Sequence, residues 1–121
     1  MQLTKGHGLS VIDYFPTDIQ NNLRSEIKGR TVLTLIEIAY QDPQETNPSK
    51  IANSLNIPLS TISKEIKKLI ELNFIHSYVS TQVLHDGRYR NFSISPKGIN
   101  FLRMLNEVLK YTINRIKDKA Q

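Results

Sequence analysis

Apolar positions recur with a helical period along most of the chain and switch to alternation over one stretch between residues 74 and 95. Ile19, Leu23 and Ile27 fall at i, i+4 and i+8, with Thr17 or Asp18 as the predicted N-cap. Gly29 interrupts that helix. A second is predicted from about Arg30 to Tyr40, with Val32, Leu33, Leu35, Ile36, Ala39 and Tyr40 as a wide apolar stripe. Residues 41–47 are polar, contain Pro43 and read as a loop. Asn47-Pro48 then joins an N-cap residue to a proline at the first helical position, ahead of a short helix that buries Ile51, Ala52 and Leu55. Pro58 closes that helix, because proline disfavours helical backbone at the residue before it. The next helix is predicted from about Leu59 to Leu72, with Ile62, Ile66, Leu69 and Ile70 on one face. Asn73 stands where a left-handed C-terminal cap is wanted.

Over residues 74–95 two strands are predicted. Ile75, Val79 and Val83 share a face of the first, and Arg90, Phe92 and Ile94 a face of the second. Asp86-Gly87 between them suits a two-residue type I′ turn. That turn would set Val79 opposite Ile94, Thr81 opposite Phe92 and Val83 opposite Arg90. The hairpin so drawn has an apolar root and a tip carrying His85, Arg88 and Arg90. Ser95-Pro96 repeats the cap-plus-proline signal, and a long helix follows to the C-terminus. There Ile99, Leu102, Leu105, Leu109, Thr112 and Ile116 trace a seam close to a heptad, with Phe101, Val108 and Ile113 beside it. A helix of about 24 residues extends about 36 Å, more than the preceding elements can cover, so its apolar stripe calls for a partner.

Composition narrows the classes. The 121 residues make one domain, or one with an extension, and 39% apolar with 22% charged residues is a globular balance. No apolar run approaches the ~18 residues of a membrane span, and the first eight residues lack the apolar core of a secretory signal. A soluble, cytoplasmic protein is the expectation. The absence of cysteine excludes disulfide scaffolds, thiol catalysis and thiolate metal sites. His7, His76 and His85 have no ligand spacing, and no phosphate-binding glycine loop or serine or carboxylate motif stands out. No enzyme, metal or cofactor is therefore expected. The net charge of +5 is uneven: residues 1–47 carry four basic and six acidic groups, residues 48–98 seven and three, and residues 99–121 five and two. A basic block beside a slightly acidic one favours a polyanion as partner.

The segment Pro48–Gly98 resembles the winged helix-turn-helix domain of the MarR and ArsR classes of transcriptional regulator. Ile51-Ala52-Asn53-Ser54-Leu55-Asn56-Ile57 is similar to the first helix and turn of that motif, and Ser60-Thr61-Ile62-Ser63-Lys64-Glu65-Ile66-Lys67-Lys68-Leu69 to its recognition helix. Leu72-Asn73-Phe74-Ile75 resembles the exit into the wing, with asparagine where glycine is commoner. Ser95-Pro96-Lys97-Gly98 resembles the Thr/Ser-x-Lys-Gly entry to the last helix of MarR-type proteins. The chain is short for a MarR protein and lacks the cysteines of metal-sensing ArsR proteins. Within the class it most resembles the small archaeal Lrs-type winged-helix regulators.

The resemblance implies a mainly α fold with a small β-hairpin wing. Residues 30–98 would form the DNA-binding domain, and residues 1–29 and 99–121 a dimerisation element. It implies a homodimer on double-stranded DNA, with the helix at about 59–72 in the major groove and the hairpin at about 75–95 on the minor groove or backbone. Opposite the apolar face of that helix stand Ser60, Thr61, Ser63, Lys64, Lys67 and Lys68, where small hydroxyls permit close approach and lysines reach bases or phosphates. Ser49 and Lys50, at the start of the preceding helix, and His85, Arg88 and Arg90 on the hairpin complete the expected contact set. Ile19, Leu23, Ile27, Leu102, Leu105, Leu109, Ile113 and Ile116 are the expected dimer contacts. Lys97 is as well read as a solvated lysine. A small-molecule effector, for which Tyr14, Phe15, Tyr40 and Tyr111 are candidate lining residues, has no further support in the sequence. The alternative reading is a winged helix used as a protein-interaction module without specific DNA binding.

Overall fold

The computed structural model describes residues 10–79 and 90–120. Its contacts divide the chain into two units, Ile27–Ile99 and a second that joins Met1–Glu26 to Asn100–Gln121.

In the first unit three helices carry the core: α2 (Gly29–Tyr40), α3 (Pro48–Leu55) and α4 (Leu59–Glu71), numbered after α1 (Thr17–Ser25) of the other unit. Helix α3 opens with Asn47 accepting the Lys50 backbone N–H at 2.9 Å and with Pro48 in the first turn. Both α3 and α4 end at an asparagine in the left-handed region, Asn56 at φ 55° and Asn73 at φ 62°. Each end is closed by a pair of backbone bonds: Ile57 to Ala52 and Asn56 to Asn53, then Phe74 to Leu69 and Asn73 to Ile70. These double bonds satisfy the last carbonyls and turn the chain sharply, so a short connection suffices between α3 and α4. Leu35, Ile38, Ile51, Ile62, Leu69 and Phe74 fill the centre.

Two predicted faces are corrected by the packing. On α2 the buried residues are Thr31, Thr34, Leu35 and Ile38, an unbroken i, i+3, i+4, i+7 face. Of the predicted stripe only Leu35 is buried, and Leu33, Ile36 and Tyr40 face outward. Hydropathy passes over a threonine whose hydroxyl is bonded, yet such a group is buried without an unmet bond. Thr34 Oγ1 donates to the Arg30 carbonyl at 2.7 Å, and Thr31 Oγ1 accepts the Lys28 N–H at 3.1 Å. On α4 Ile70 is 40% exposed, while Glu65 is buried beside Ile62, Ile66 and Leu69. Thr31 Oγ1 donates to Glu65 Oε1 at 2.6 Å and Arg30 Nε to Oε2 at 2.7 Å, so the acidic residue bonds α4 to α2.

A hairpin follows α4, with β1 (Ile75–Val79) antiparallel to β2 (Arg90–Ile94). Its register differs from the prediction by four residues. Ile75 is opposite Ile94, Ser77 opposite Phe92 and Val79 opposite Arg90. The predicted partners Thr81 and Val83 and the Asp86-Gly87 turn lie outside the described residues. The pairing is set at the root, where the Ser95 N–H donates to the Phe74 carbonyl at 2.9 Å directly after the α4 cap. Helix α5 (Pro96–Ala120) then starts on Ser95, whose Oγ accepts the Gly98 N–H at 3.0 Å and donates to the Asn73 carbonyl at 2.6 Å. A side chain at Gly98 would collide with the Phe74 carbonyl oxygen and with Ile94, which accounts for glycine at this place in the cap.

In the second unit a 3₁₀ turn, Val11–Tyr14, is closed reciprocally by Ser10 and Asp13 and leads to α1. The predicted cap of α1 is corrected. Pro16 holds the cap position with no side-chain bond, and Thr17 is the first helical residue. Helix α1 stops at Ser25, so Ile27 falls outside it. Phe15 and Ile19 are buried, as is Phe101 of α5, whose ring centroid lies 6.2 Å from that of Phe15.

Burial pushes the Glu65 carboxyl up, but hydrogen bonds from Thr31 and Arg30 and the charges of Lys68 and Arg30 outweigh it and hold the group below its ordinary 4.5. Because the folded carboxyl holds its proton less tightly than the unfolded one, its contribution to stability is complete above pH 4.5 and is lost as pH falls through the lowered folded value. The urea midpoint should therefore fall more steeply below pH 4.5 for the unsubstituted protein than for Glu65→Gln. At neutral pH Thr31→Val should cost about 1–3 kcal/mol in the same measurement, since it leaves a buried carboxylate oxygen short of a donor.

Candidate nucleic-acid interface

With Ile62, Glu65, Ile66 and Leu69 inward, α4 turns Ser60, Ser63, Lys64 and Lys67 to solvent, and Thr61 is half-buried. Lys68 stands apart from them. Its side chain is 28% exposed, and Nζ lies 3.7 Å from Glu65 Oε1. Ser63 and Lys67 share a groove of about 440 Å³ with Ser77 and Arg90 of the hairpin, floored by Ile66, Ile70 and Phe92. Arg90 Nη1 donates to Ser77 Oγ at 3.2 Å across the strands. The fold thus brings Arg90, distant in sequence, to the same apolar-floored cleft as Ser63 and Lys67 of α4. Exposed Ile70, out of place as a core residue, belongs to that floor.

The remaining sequence candidates are placed unevenly. Ser49 is exposed on the first turn of α3. Lys50 Nζ lies 3.1 Å from Glu45 Oε2, so the loop before α3 offsets its charge. Lys97 sits over the Phe74 ring at 5.8 Å. His85 and Arg88 lie outside the described residues. In the second unit Ile19 is buried within the protomer, as Ile27 is in the first, while Leu23, Leu102 and Leu105 are partly covered. Leu109, Ile113 and Ile116 are 59%, 50% and 58% exposed. Tyr14 and Tyr111 meet edge to face at 6.1 Å, Phe15 is buried and Tyr40 is exposed.

Sequence reasoning missed what holds the hairpin. Thr46, fully buried in the polar loop 41–47, donates from Oγ1 to the Phe92 carbonyl at 2.9 Å and accepts the Phe92 N–H at 2.8 Å. Buried Asn91 donates from Nδ2 to the carbonyls of Gln44 and Thr46, and the Tyr78 hydroxyl donates to the Pro43 carbonyl at 2.6 Å. The loop satisfies the outer edge of β2 much as a third strand would. Nothing local marks Thr46 or Asn91 for this, because a polar residue in a polar run has no pattern to break. Glu65 did leave a signal: an acidic residue one helical turn from both Ile62 and Leu69 stands on the apolar face.

Three packed helices, the second and third joined by a tight turn, with a hairpin after the third, define the winged helix-turn-helix fold. No family model matches the chain, and no curated protein is similar to it in sequence. Solved structures are similar in fold. Staphylococcus aureus MepR in its DNA complex superimposes with a TM-score of 0.65 at 20% identity, over 85% of this chain and 81% of that one. Streptococcus pneumoniae FabT in complex with DNA gives 0.61 at 23% identity, over 80% and 67%. S. aureus MarR in complex with salicylate and kanamycin gives 0.63 at 23% identity, over 88% and 73%. The chain therefore has the fold of the MarR-type winged-helix structures. Among the described residues no cluster of three His, Asp or Glu side chains is arranged for a metal ion, and no helix is long and apolar enough to cross a membrane.

Thr46→Val keeps the shape of the side chain and removes both bonds to Phe92. It should destabilise the protein by about 1–3 kcal/mol and accelerate hydrogen exchange at the Phe92 amide. Unchanged exchange at that amide would show that the hairpin is held by other means.

Proposed function

We propose that this chain is a homodimeric DNA-binding transcriptional regulator and not an enzyme, acting in the cytoplasm beside the genome. The observation that carries the reading is the joint placement of Ser60, Ser63, Lys64 and Lys67 on the exposed face of α4 with Arg90 across the groove. A helix bearing small hydroxyls and lysines fits the major groove, with its N-terminal residues nearest the base edges. Arg90 on the flanking hairpin suits a phosphate or a narrow minor groove. The DNA-bound MepR and FabT structures of the same fold support this use of it. Ser60 and Ser63 are the candidate base readers, and Lys64, Lys67 and Arg90 the candidate backbone contacts. Lys68 and Lys50 contribute less, because Glu65 and Glu45 already engage them.

The stripe Leu109, Ile113 and Ile116, with Leu102 and Leu105 on the same side of α5, supplies the dimer contact. These residues follow a near-heptad spacing, and an apolar helix face of this length is stabilised by pairing with a second copy. Two-fold pairing would offer two α4 helices to successive major grooves about 34 Å apart.

Fluorescence anisotropy across a salt series, on the DNA upstream of the gene and on a scrambled duplex, tests the reading. Lys64→Gln and Lys67→Gln should each lower the salt slope by about one, equally on both duplexes, whereas Ser60→Ala should change preference at one base pair by about 1–3 kcal/mol. An absence of binding at low salt would instead favour the protein-interaction module, for which exposed Leu33, Ile36 and Tyr40 of α2 offer a surface. Ile113→Glu should convert the dimer to monomer in sedimentation velocity and weaken binding to a two-half-site duplex by about a hundredfold.

A further inference from the structure

Glu65 does more than hold α4 to α2. Its side chain is 1% exposed, yet the Arg30 side chain that meets it is 50% exposed. Arg30 engages the carboxylate through Nε, at 2.7 Å, and no other hydrogen bond from its guanidinium is made to a described residue. The guanidinium is thus held at one nitrogen, Nε, in a side chain that is half open to solvent. A carboxylate that orients an arginine in this way removes part of the entropy cost of a second, bidentate contact.

The position of Arg30 is also informative. On the α4 wheel, Ser63, Lys67 and Ile70 face the hairpin groove, and Glu65 and Lys68 lie about half a turn around from them. Lys64, on the exposed face, stands one turn before Lys68. Arg30 and Lys68 share the one Glu65 carboxylate, so the cluster keeps a net positive charge, and with Lys64 it continues from the exposed face of α4, on the side away from the hairpin, onto α2. The tie between the helices does not need the exposed half of Arg30, since Thr31 already donates to Glu65 from inside. A duplex lying against α4 has a phosphate strand on each side of the groove that the helix enters. Arg90 serves the hairpin side. The other side has no arginine in the set read from the sequence.

We propose that Arg30, oriented by Glu65, contacts a backbone phosphate on the flank of α4 opposite the hairpin and so extends the DNA footprint onto α2. This rests on the reading of the chain as a DNA-binding protein. A phosphate contact is independent of sequence, so any fluorescein-labelled duplex serves as probe.

Anisotropy across a salt series would compare the unsubstituted protein with Arg30→Gln, Arg30→Lys and Arg24→Gln, each with a thermal melt. Glutamine keeps a donor for Glu65 and removes the charge, lysine keeps the charge and loses the fork, and Arg24→Gln removes an exposed charge from α1. The expected result is a roughly three- to tenfold loss for Arg30→Gln on every duplex, with the salt slope lower by about one. Arg30→Lys should recover the slope, and Arg24→Gln should change neither quantity. A lowered melting temperature with an unchanged slope for Arg30→Gln would overturn the proposal and leave the DNA reading standing, as would equal slopes for Arg30→Gln and Arg24→Gln. Failure of the unsubstituted protein to bind any duplex would overturn both. A measurement without substitutions guards against misfolding: saturating duplex should protect Arg30 from phenylglyoxal, read by mass spectrometry, and an Arg30 that reacts equally with and without DNA overturns the proposal.

Discussion

One buried carboxylate sets the rotation of the helix on which the functional reading depends. Glu65 is bonded by Thr31 and Arg30 of α2 and approached by Lys68 of its own helix. A buried carboxylate cannot turn toward water without breaking these bonds, and it cannot stay without them. The alternative rotation of α4, with Ile70 inward and Glu65 outward, is the one hydropathy alone would choose. It would carry Ser63 and Lys67 away from the groove they share with Arg90. A polar bond inside the core thus selects the face offered to solvent, at some expense in desolvation that a purely apolar contact would avoid.

The hairpin is held by the same kind of constraint. Five residues of each strand are described, and an isolated two-stranded hairpin is marginal in water. Thr46 and Asn91 bond it to the loop between α2 and α3, while Ser95, Phe74 and Gly98 lock its root to the end of α4 and the start of α5. These anchors act at the root, the Ile75–Ile94 end of the described pairing. Arg90, the first residue of β2, lines the same groove as Lys67 in this arrangement.

Ile27–Ile99 carries the polar face and the groove, and the unit containing most of α5 carries the exposed apolar seam Leu109, Ile113 and Ile116. A fold hosts many functions, so the likeness to MarR-type structures bears on architecture, and the assignment to DNA rests on which side chains this chain turns outward. Glu45 offsets Lys50, and Glu65 is shared between Lys68 and Arg30, so positive charge remains on Lys64, Lys67 and Arg90 and, in net, on the Arg30–Lys68 pair.

Helix order, the two proline-marked helix starts, the left-handed Asn73 and the hairpin after α4 were all legible in the sequence, because each follows from backbone chemistry within a few residues: a cap, a missing N–H, a tolerated positive φ, a change of period. The exposed hydroxyl-and-lysine face of α4 was legible for the same reason. The strand register, the inward turn of Thr31 and Thr34, the exposure of Ile70 and the roles of Thr46, Asn91 and Arg30 were decided by tertiary structure. Thr34 is satisfied within its own helix, but Arg30 and Thr31 bond to Glu65 and Thr46 to Phe92, partners elsewhere in the chain. A hydropathy pattern records how far a side chain avoids water. It does not record whether a distant group waits to bond it, and that bond is what allows a polar residue to take a core position.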